Sequence, residues 1–421
     1  RDPHAPAGTT QPLFDGSHDK ALEDITTFSN HVVIEGRQGG IPRIWILAVE
    51  DNDGSPILTS ATRLEFPEAA HDVGLGGHYE FDIDKIVVGY ESLVTPSQGL
   101  EIWLDDPSNM DMSKRIVLKE QNVPGYEKEL YGCDRVTVTS RDGTTEIPVS
   151  LVYRKDVMER AKRNDKGEEP VRAHLYAYGA YGESEEDSFS STILPLLNRG
   201  IIYVIAHVRG GGEMGRQWYE EPNGGKYLCK KNTFNDFVDV AKWLVEDRKW
   251  TTPDYLSCEG RSAGGMTIAA SMNQEPELFK AAILGVPFVD LVATMSDASI
   301  PLTAGEWEEW GNPNEVKYFD YMMSYCPMRN VKENAKYPSC LLLGGLHDPR
   351  VAYWEPAKLA ATLRHHQGPD SGPVCLKIEM SAGHFSASDR YKYLKETAFD
   401  FAFLLDQVGL ATSSCAKGGA E

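Results

Sequence analysis

Ser262 stands at the centre of Gly260-Arg261-Ser262-Ala263-Gly264, a Gly-x-Ser-x-Gly arrangement between the short apolar run YLSCEG and the helical pattern MTIAASM. The chemistry open to such a serine is attack on an acyl carbon. Small neighbours permit the sharp strand-to-helix turn that lifts a hydroxyl clear of the backbone. A hydroxyl is a weak nucleophile at neutral pH, so it needs a base, and the base needs a group that orients it. Of the eleven histidines, only His347, His365, His366 and His384 come after Ser262. His365 and His366 close a helical pattern, where positive charge suits the C-terminal end. His384 lies in MSAGHFSAS, a small-residue loop after the apolar run VCLKIEM, a strand-to-loop junction suited to a catalytic base. Asp348 comes directly after the apolar run CLLLGG in Gly345-Leu346-His347-Asp348. The order serine, acid, histidine leads us to expect Ser262 as nucleophile, His384 as base and Asp348 as the orienting carboxylate.

A second glycine pattern competes for attention. Gly210-Gly211-Gly212-Glu213-Met214-Gly215 satisfies Gly-x-Gly-x-x-Gly after IIYVIAHV. A dinucleotide site also requires a helix opening on the third glycine and an acidic residue about 20 positions on, at the next strand's end. The stretch after Gly215, RQWYEEPNGGKYLCKK, is polar and turn-rich, and Asp236 begins a helix instead. The nucleotide reading is rejected, and the glycines are expected to form a tight loop near the serine. The seven cysteines are scattered, without a Cys-x-x-Cys pair. That argues against a zinc site and a disulfide framework and suits a reducing compartment. No Asn-x-Ser/Thr sequon occurs. No metal and no cofactor are expected, and the expected location is cytoplasmic.

The elements that would position these groups fall into two patterns. From residue 19 to 125 short alternating or β-branched runs are split by turn residues, which indicates an all-β unit such as propeller blades, about two of them. Near residue 130 the pattern changes. A hairpin signal carries Asp142-Gly143 between alternating runs, and apolar runs then alternate with amphipathic helices. Such alternation means a mainly parallel sheet with helices on both faces, the α/β class, here assigned to residues 126–410. Residues 1–18 and 411–421 are polar and aperiodic and are expected to be disordered tails.

With 421 residues, 41% apolar and 25% charged, the composition is globular, which excludes collagen, coiled coil and bulk disorder. The balance of 63 acidic against 42 basic side chains leaves a net charge of −21. That field repels nucleic acid and anionic membrane surfaces and attracts basic peptides. No run of 18 apolar residues exists to span a membrane.

From about residue 130 onward the sequence resembles the prolyl oligopeptidase family of serine peptidases, and within it closely resembles the oligopeptidase B branch. The matching stretches are YAYGAYG (176–182), RGGGEMG (209–215), NTFNDF (232–237), GRSAGG (260–265), LTAGEWEEWGNP (302–313), GLHDPRVAYWEPAK (345–358) and SAGH (381–384). Upstream, IVVGYESLVTPSQ looks like the end of the family's seven-bladed propeller, and the chain looks like a C-terminal fragment of a complete member. The resemblance implies an α/β-hydrolase domain. It implies the nucleophile, base and acid at Ser262, His384 and Asp348, and an oxyanion hole from the Ala263 N–H and the Tyr178 hydroxyl. It places Glu306 where the proline-cleaving branch has a stacking tryptophan. A carboxylate there, with Glu308 nearby, would hold a Lys or Arg side chain by charge-assisted hydrogen bonds. Glu309 reads as a solvated acidic turn. Glu186, in the run Glu185-Glu186-Asp187, would meet the preceding basic residue, and Arg350 matches an arginine that binds a substrate carbonyl.

The expected function is therefore a serine endopeptidase of short basic peptides, cleaving after Arg or Lys through an acyl-enzyme. Within the family, a prolyl-specific oligopeptidase or a dipeptidyl peptidase is the alternative, and an esterase of small acyl groups is another. The alternative of a different class is an inactive fragment that acts only as a binding module. Two blades leave open sheet edges, and the isolated chain is expected to behave poorly and hydrolyse weakly.

Overall fold

A computed structural model describes residues 20–52, 55–58, 61–104, 115–164, 169–385 and 390–411. The expected tail at 1–18, and residues 412–421 of the one at 411–421, lie outside the described residues. The chain divides into two compact units, Arg1–Gly125 with Glu186–Phe189, and Tyr126–Glu185 with Ser190–Glu421.

The first unit holds two antiparallel meanders. Strands β1 (Lys20–Thr27), β2 (His31–Gln38) and β3 (Ile41–Asn52) run in order, and β3 pairs at its end with β4 (Ser55–Leu58) and at its centre with β5 (Thr62–Arg63). The second sheet runs β6 (His71–Leu75), β7 (Lys85–Ser92), β8 (Gln98–Trp103) and β9 (Ile116–Glu120). Alternation sets which side chains meet, because successive residues of a strand point to opposite faces. In β7, Ile86, Val88 and Tyr90 turn inward while Lys85, Val87 and Gly89 turn out. Val33, Ile44, Ile46 and Leu64 of the first sheet share one core with Val73, Ile86, Val88 and Ile102 of the second. Each such side chain, fully buried, contributes roughly 1.5–3 kcal/mol. These are two blades of a partial β-propeller.

The second unit is an α/β-hydrolase domain built on an eight-stranded sheet. Its strands are β10 (Tyr131–Thr139), β11 (Glu146–Arg154), β12 (Arg172–Tyr176), β13 (Ile201–Ala206), β14 (Leu256–Arg261), β15 (Ala281–Gly285), β16 (Ser339–Gly345) and β17 (Val374–Glu379). They lie in the order β10-β11-β13-β12-β14-β15-β16-β17. The first two pairings are antiparallel and the rest parallel. The β10–β11 hairpin turns at Asp142-Gly143. The Asp142 Oδ1 accepts the N–H groups of Thr144 at 2.9 Å and Thr145 at 2.8 Å, and Gly143 takes φ +74°. Helices cover both faces, so β15, AAILG, is apolar and buried along its whole length. In β15, Ala282 and Leu284 enter the core with Phe237, Ile268 and Leu359, while Ile283 enters the opposite one with Leu404 and Val408. Among the described residues no helix is long and apolar enough to cross a membrane.

The carboxyl ends of parallel strands are where such sheets place ligands. Ser262 comes after β14, Asp348 after β16 and His384 after β17.

Candidate active site

The turn after β14 forces Ser262 into φ +56°, ψ −120°. A non-glycine residue there costs on the order of 1–3 kcal/mol, and its neighbours must hold it. The Ser262 N–H donates to the Gly285 carbonyl at 2.8 Å, and the Ser262 carbonyl accepts from Phe288 N at 3.1 Å. Both partners come from β15 and the loop after it. The turn closes only because Gly260 lacks a side chain, since a Cβ there would lie 2.3 Å from the Gly264 carbonyl oxygen. Ala263 opens the helix Ala263–Gln274. Its N–H therefore has no intrahelical carbonyl and stays available to an anion beside the serine.

The three residues expected to act together meet. His384 Nε2 lies 3.0 Å from Ser262 Oγ, and His384 Nδ1 lies 2.8 Å from Asp348 Oδ2. The other Asp348 oxygen accepts the backbone N–H groups of Arg350 at 2.8 Å and Val351 at 2.9 Å. With the Asp348 side chain wholly out of solvent and that of His384 nearly so, the carboxylate accepts a hydrogen bond from Nδ1–H and so fixes the proton on that nitrogen. Nε2 is left with its lone pair toward the serine.

Tyr178 comes just after β12. Its carbonyl accepts from Thr267 Oγ1 at 2.9 Å, a donor on the helix that Ala263 opens. A Cβ on Gly264 would come within 3.2 Å of the Tyr178 Cα, so this glycine lets the two segments touch. The phenol has no hydrogen-bond partner among the described residues. Burial, then the nearby charges of Glu183, Glu309, Glu185 and Glu306, push its ionisation well above the ordinary phenol range. It therefore remains a donor at neutral pH.

The acidic stretch is a helix, Thr303–Trp310. Glu306 is half-buried; its Oε2 accepts from the Tyr181 hydroxyl at 2.7 Å and from Trp310 Nε1 at 3.1 Å. Glu308 is exposed and accepts from the Tyr227 hydroxyl at 3.3 Å. Glu309 corrects the sequence reading. It is no solvated turn residue but a helical one, 3% exposed, accepting the Tyr181 N–H at 3.1 Å and the Tyr219 hydroxyl. Residues three apart share a helix face, so Glu309 points inward with Glu306 while Glu308 points out.

Arg350 is exposed, with its guanidinium 5.3 Å from the Phe385 ring centre. Glu186 belongs to the first unit, where the Arg37 guanidinium takes both its oxygens. The glycine-rich segment packs on the Tyr178 turn: Gly182 N donates to the Gly210 carbonyl at 3.0 Å and Gly212 N to the Glu183 carbonyl at 3.3 Å. Sequence reasoning missed Lys230, which is fully buried beneath Trp310. A lysine in Cys229-Lys230-Lys231-Asn232 carries no signal that separates it from its solvated neighbour.

The prolyl oligopeptidase family model matches residues 187–411. Dipeptidyl aminopeptidase BI of Pseudoxanthomonas mexicana is 40% identical over 94% of this chain and 51% of its own length. Oligopeptidase B from Leishmania major matches with a TM-score of 0.82 and 43% identity, covering 94% of this chain and 53% of that one. Oligopeptidase B from Trypanosoma brucei, in a closed form with covalently bound antipain, matches with a TM-score of 0.83 and 44% identity, covering 95% and 54%. The chain thus spans about half the length of the relatives it matches.

Proposed function

Since the chain belongs to the prolyl oligopeptidase family, we propose that it hydrolyses short peptides after Arg or Lys through an acyl-enzyme on Ser262. The observation that carries the reading is the relay from Asp348 through His384 to Ser262, at 2.8 and 3.0 Å, on a serine held at positive φ.

His384 Nε2 takes the hydroxyl proton as Ser262 Oγ bonds to the scissile carbonyl carbon, and Asp348 stabilises the imidazolium. The carbonyl oxygen becomes an oxyanion, with the Tyr178 hydroxyl and the Ala263 N–H as donors. The imidazolium then protonates the leaving amine. A water, deprotonated by the same imidazole, then attacks the acyl carbon, and the imidazolium returns the proton to Ser262 Oγ as the bond between that oxygen and the acyl group breaks. Glu306, whose Oε1 has no partner among the described residues, and Glu308 suit a substrate cation. Arg350, exposed beside Phe385, suits a peptide carbonyl. Glu186, in the first unit, would meet any other cation only by exchanging Arg37 for it. The scattered cysteines, free among the described residues, fit a cytoplasmic protein.

The name of the dipeptidyl aminopeptidase relative favours a second reading, release of dipeptides from a free amino terminus. Amino-blocked chromogenic peptides ending in Arg and in Pro, and an unblocked dipeptide ending in Arg, test both. Turnover of the blocked Arg peptide, absent in Ser262→Ala, is the expected result. Faster turnover of the Pro peptide, or turnover of the unblocked substrate alone, overturns it.

A further inference from the structure

Lys230 has 0% exposure, and no ion pair holds it among the described residues. Its Nζ donates to the Gly179 carbonyl at 2.5 Å and lies 5.0 Å from the centre of the Trp310 ring. Burial pushes the ammonium down to about 8, against the attraction of Glu309. A buried charge without an ion partner is expensive, and a methionine would fill the same space without that cost. The carbonyl it grips is enclosed on other sides. Thr233 Oγ1 reaches it at 3.5 Å, and a Cβ on Gly210 would lie 2.3 Å from it. Gly179 takes φ +76°, and a Cβ there would stand 2.5 Å from Val208 Cγ2 and 2.6 Å from Thr233 Cγ2. The Gly179–Ala180 peptide, next after the one that joins Tyr178 to Gly179, is therefore fixed chiefly by an ammonium, with Thr233 at the edge of hydrogen-bond range. Two residues on, Glu309 fixes the Tyr181 N–H. Two buried charges of opposite sign thus clamp the backbone on either side of the turn that begins with Tyr178.

We propose that Lys230 is a positioning residue for the hydrolysis: by gripping the Gly179 carbonyl against Trp310, it aims the Tyr178 hydroxyl at the oxyanion. The assignment rests on the serine-hydrolase reading above. Glu306 keeps its own donors, Tyr181 and Trp310, so substrate binding is spared and transition-state binding is not.

The test is a double-mutant cycle of Lys230→Met with Tyr178→Phe, on a peptide ending in Arg. Rates are normalised to serine titrated with a fluorophosphonate. Lys230→Met alone lowers kcat on the order of 10- to 100-fold, the scale of a small misplacement of a catalytic group, with KM nearly unchanged. Tyr178→Phe lowers kcat about 10²- to 10³-fold in the wild-type background and by less than about 10-fold in Lys230→Met. Wild-type kcat in Lys230→Met, or an equal Tyr178→Phe loss in both backgrounds, overturns the role of Lys230 alone. If Lys230→Met has no titratable serine, Lys230→Gln, which keeps a neutral donor, carries the same cycle with the same criteria. A wild-type chain that takes up no fluorophosphonate overturns the hydrolase reading itself, and this assignment with it.

Discussion

The Tyr181 hydroxyl donates to Glu306 Oε2 at 2.7 Å, the oxygen that also accepts Trp310 Nε1. Two neutral donors hold the carboxylate in place without neutralising it. Its charge and its second oxygen remain for a ligand. Burial, with Glu306 next, pushes the Tyr181 phenol above its ordinary range, so it remains a donor at neutral pH.

Glu306→Gln keeps the shape and removes the charge. A hydrogen bond to a charged group contributes about 1.5–3 kcal/mol, so KM for a peptide ending in Arg rises roughly 10- to 100-fold. Hydrolysis of a small neutral ester stays within about 3-fold, because the substitution leaves the reacting atoms alone. Steady-state kinetics on the two substrates checks this, and an equal loss on both refutes the assignment.

Asp348→Asn changes what His384 Nδ1 meets. Asparagine presents a hydrogen-bond donor or a weaker acceptor, and the imidazole turns its proton toward Ser262. The expected loss in kcat is about 10⁴-fold, with KM little altered. Stopped-time assays on the titrated enzyme measure it.

Glu355 gives a stability prediction with a definite sign. Its Oε2 accepts Val289 N at 2.7 Å and Asp290 N at 3.0 Å, and its Oε1 accepts Thr294 Oγ1 at 2.7 Å. Burial nevertheless pushes the carboxyl up to about 7, from 4.5. A folded value above the unfolded one means that the native state binds the proton more tightly. The contribution of Glu355 is therefore greatest below 4.5 and falls as pH rises toward 7. Urea midpoints at about pH 5 and about pH 8 should differ more for the wild type than for Glu355→Gln. Equal differences in the two proteins would remove Glu355 as the source.

Gly260→Ala tests the serine turn. The added methyl would meet the Gly264 carbonyl oxygen at 2.3 Å, and backbone cannot yield as a side chain tip can. Overpacking of this kind costs about 1–3 kcal/mol or more. Fluorophosphonate labelling should fall more steeply than far-ultraviolet circular dichroism, because the strained turn gives way before the sheet.

The proposed nucleophile, base and acid are legible in the sequence because each sits in a local context that one strand-to-loop junction defines. Ser262, Asp348 and His384 each come soon after an apolar run, so no tertiary knowledge is needed to line them up. Tyr178 is different. Its composition reads as a core aromatic, and only resemblance marks its hydroxyl as a donor. Glu309 misleads because three acidic residues in four positions look uniformly solvated. Its burial depends on Tyr181 and Tyr219, distant in sequence and brought near by the fold. Lys230 is hidden for the same reason, since the carbonyl and the indole that receive it come from far along the chain. The hairpin at Asp142-Gly143 is legible because its turn is written within four residues.

Ser262 keeps its unusual backbone only while Gly285 and the Phe288 amide brace it, and its imidazole partner arrives from after the penultimate element of the chain. Reactivity at this one oxygen is thus a late event on the way from the unfolded polypeptide. During refolding, capture by an organophosphorus reagent should lag behind the appearance of secondary structure, giving a chemical clock for the moment the sheet is complete.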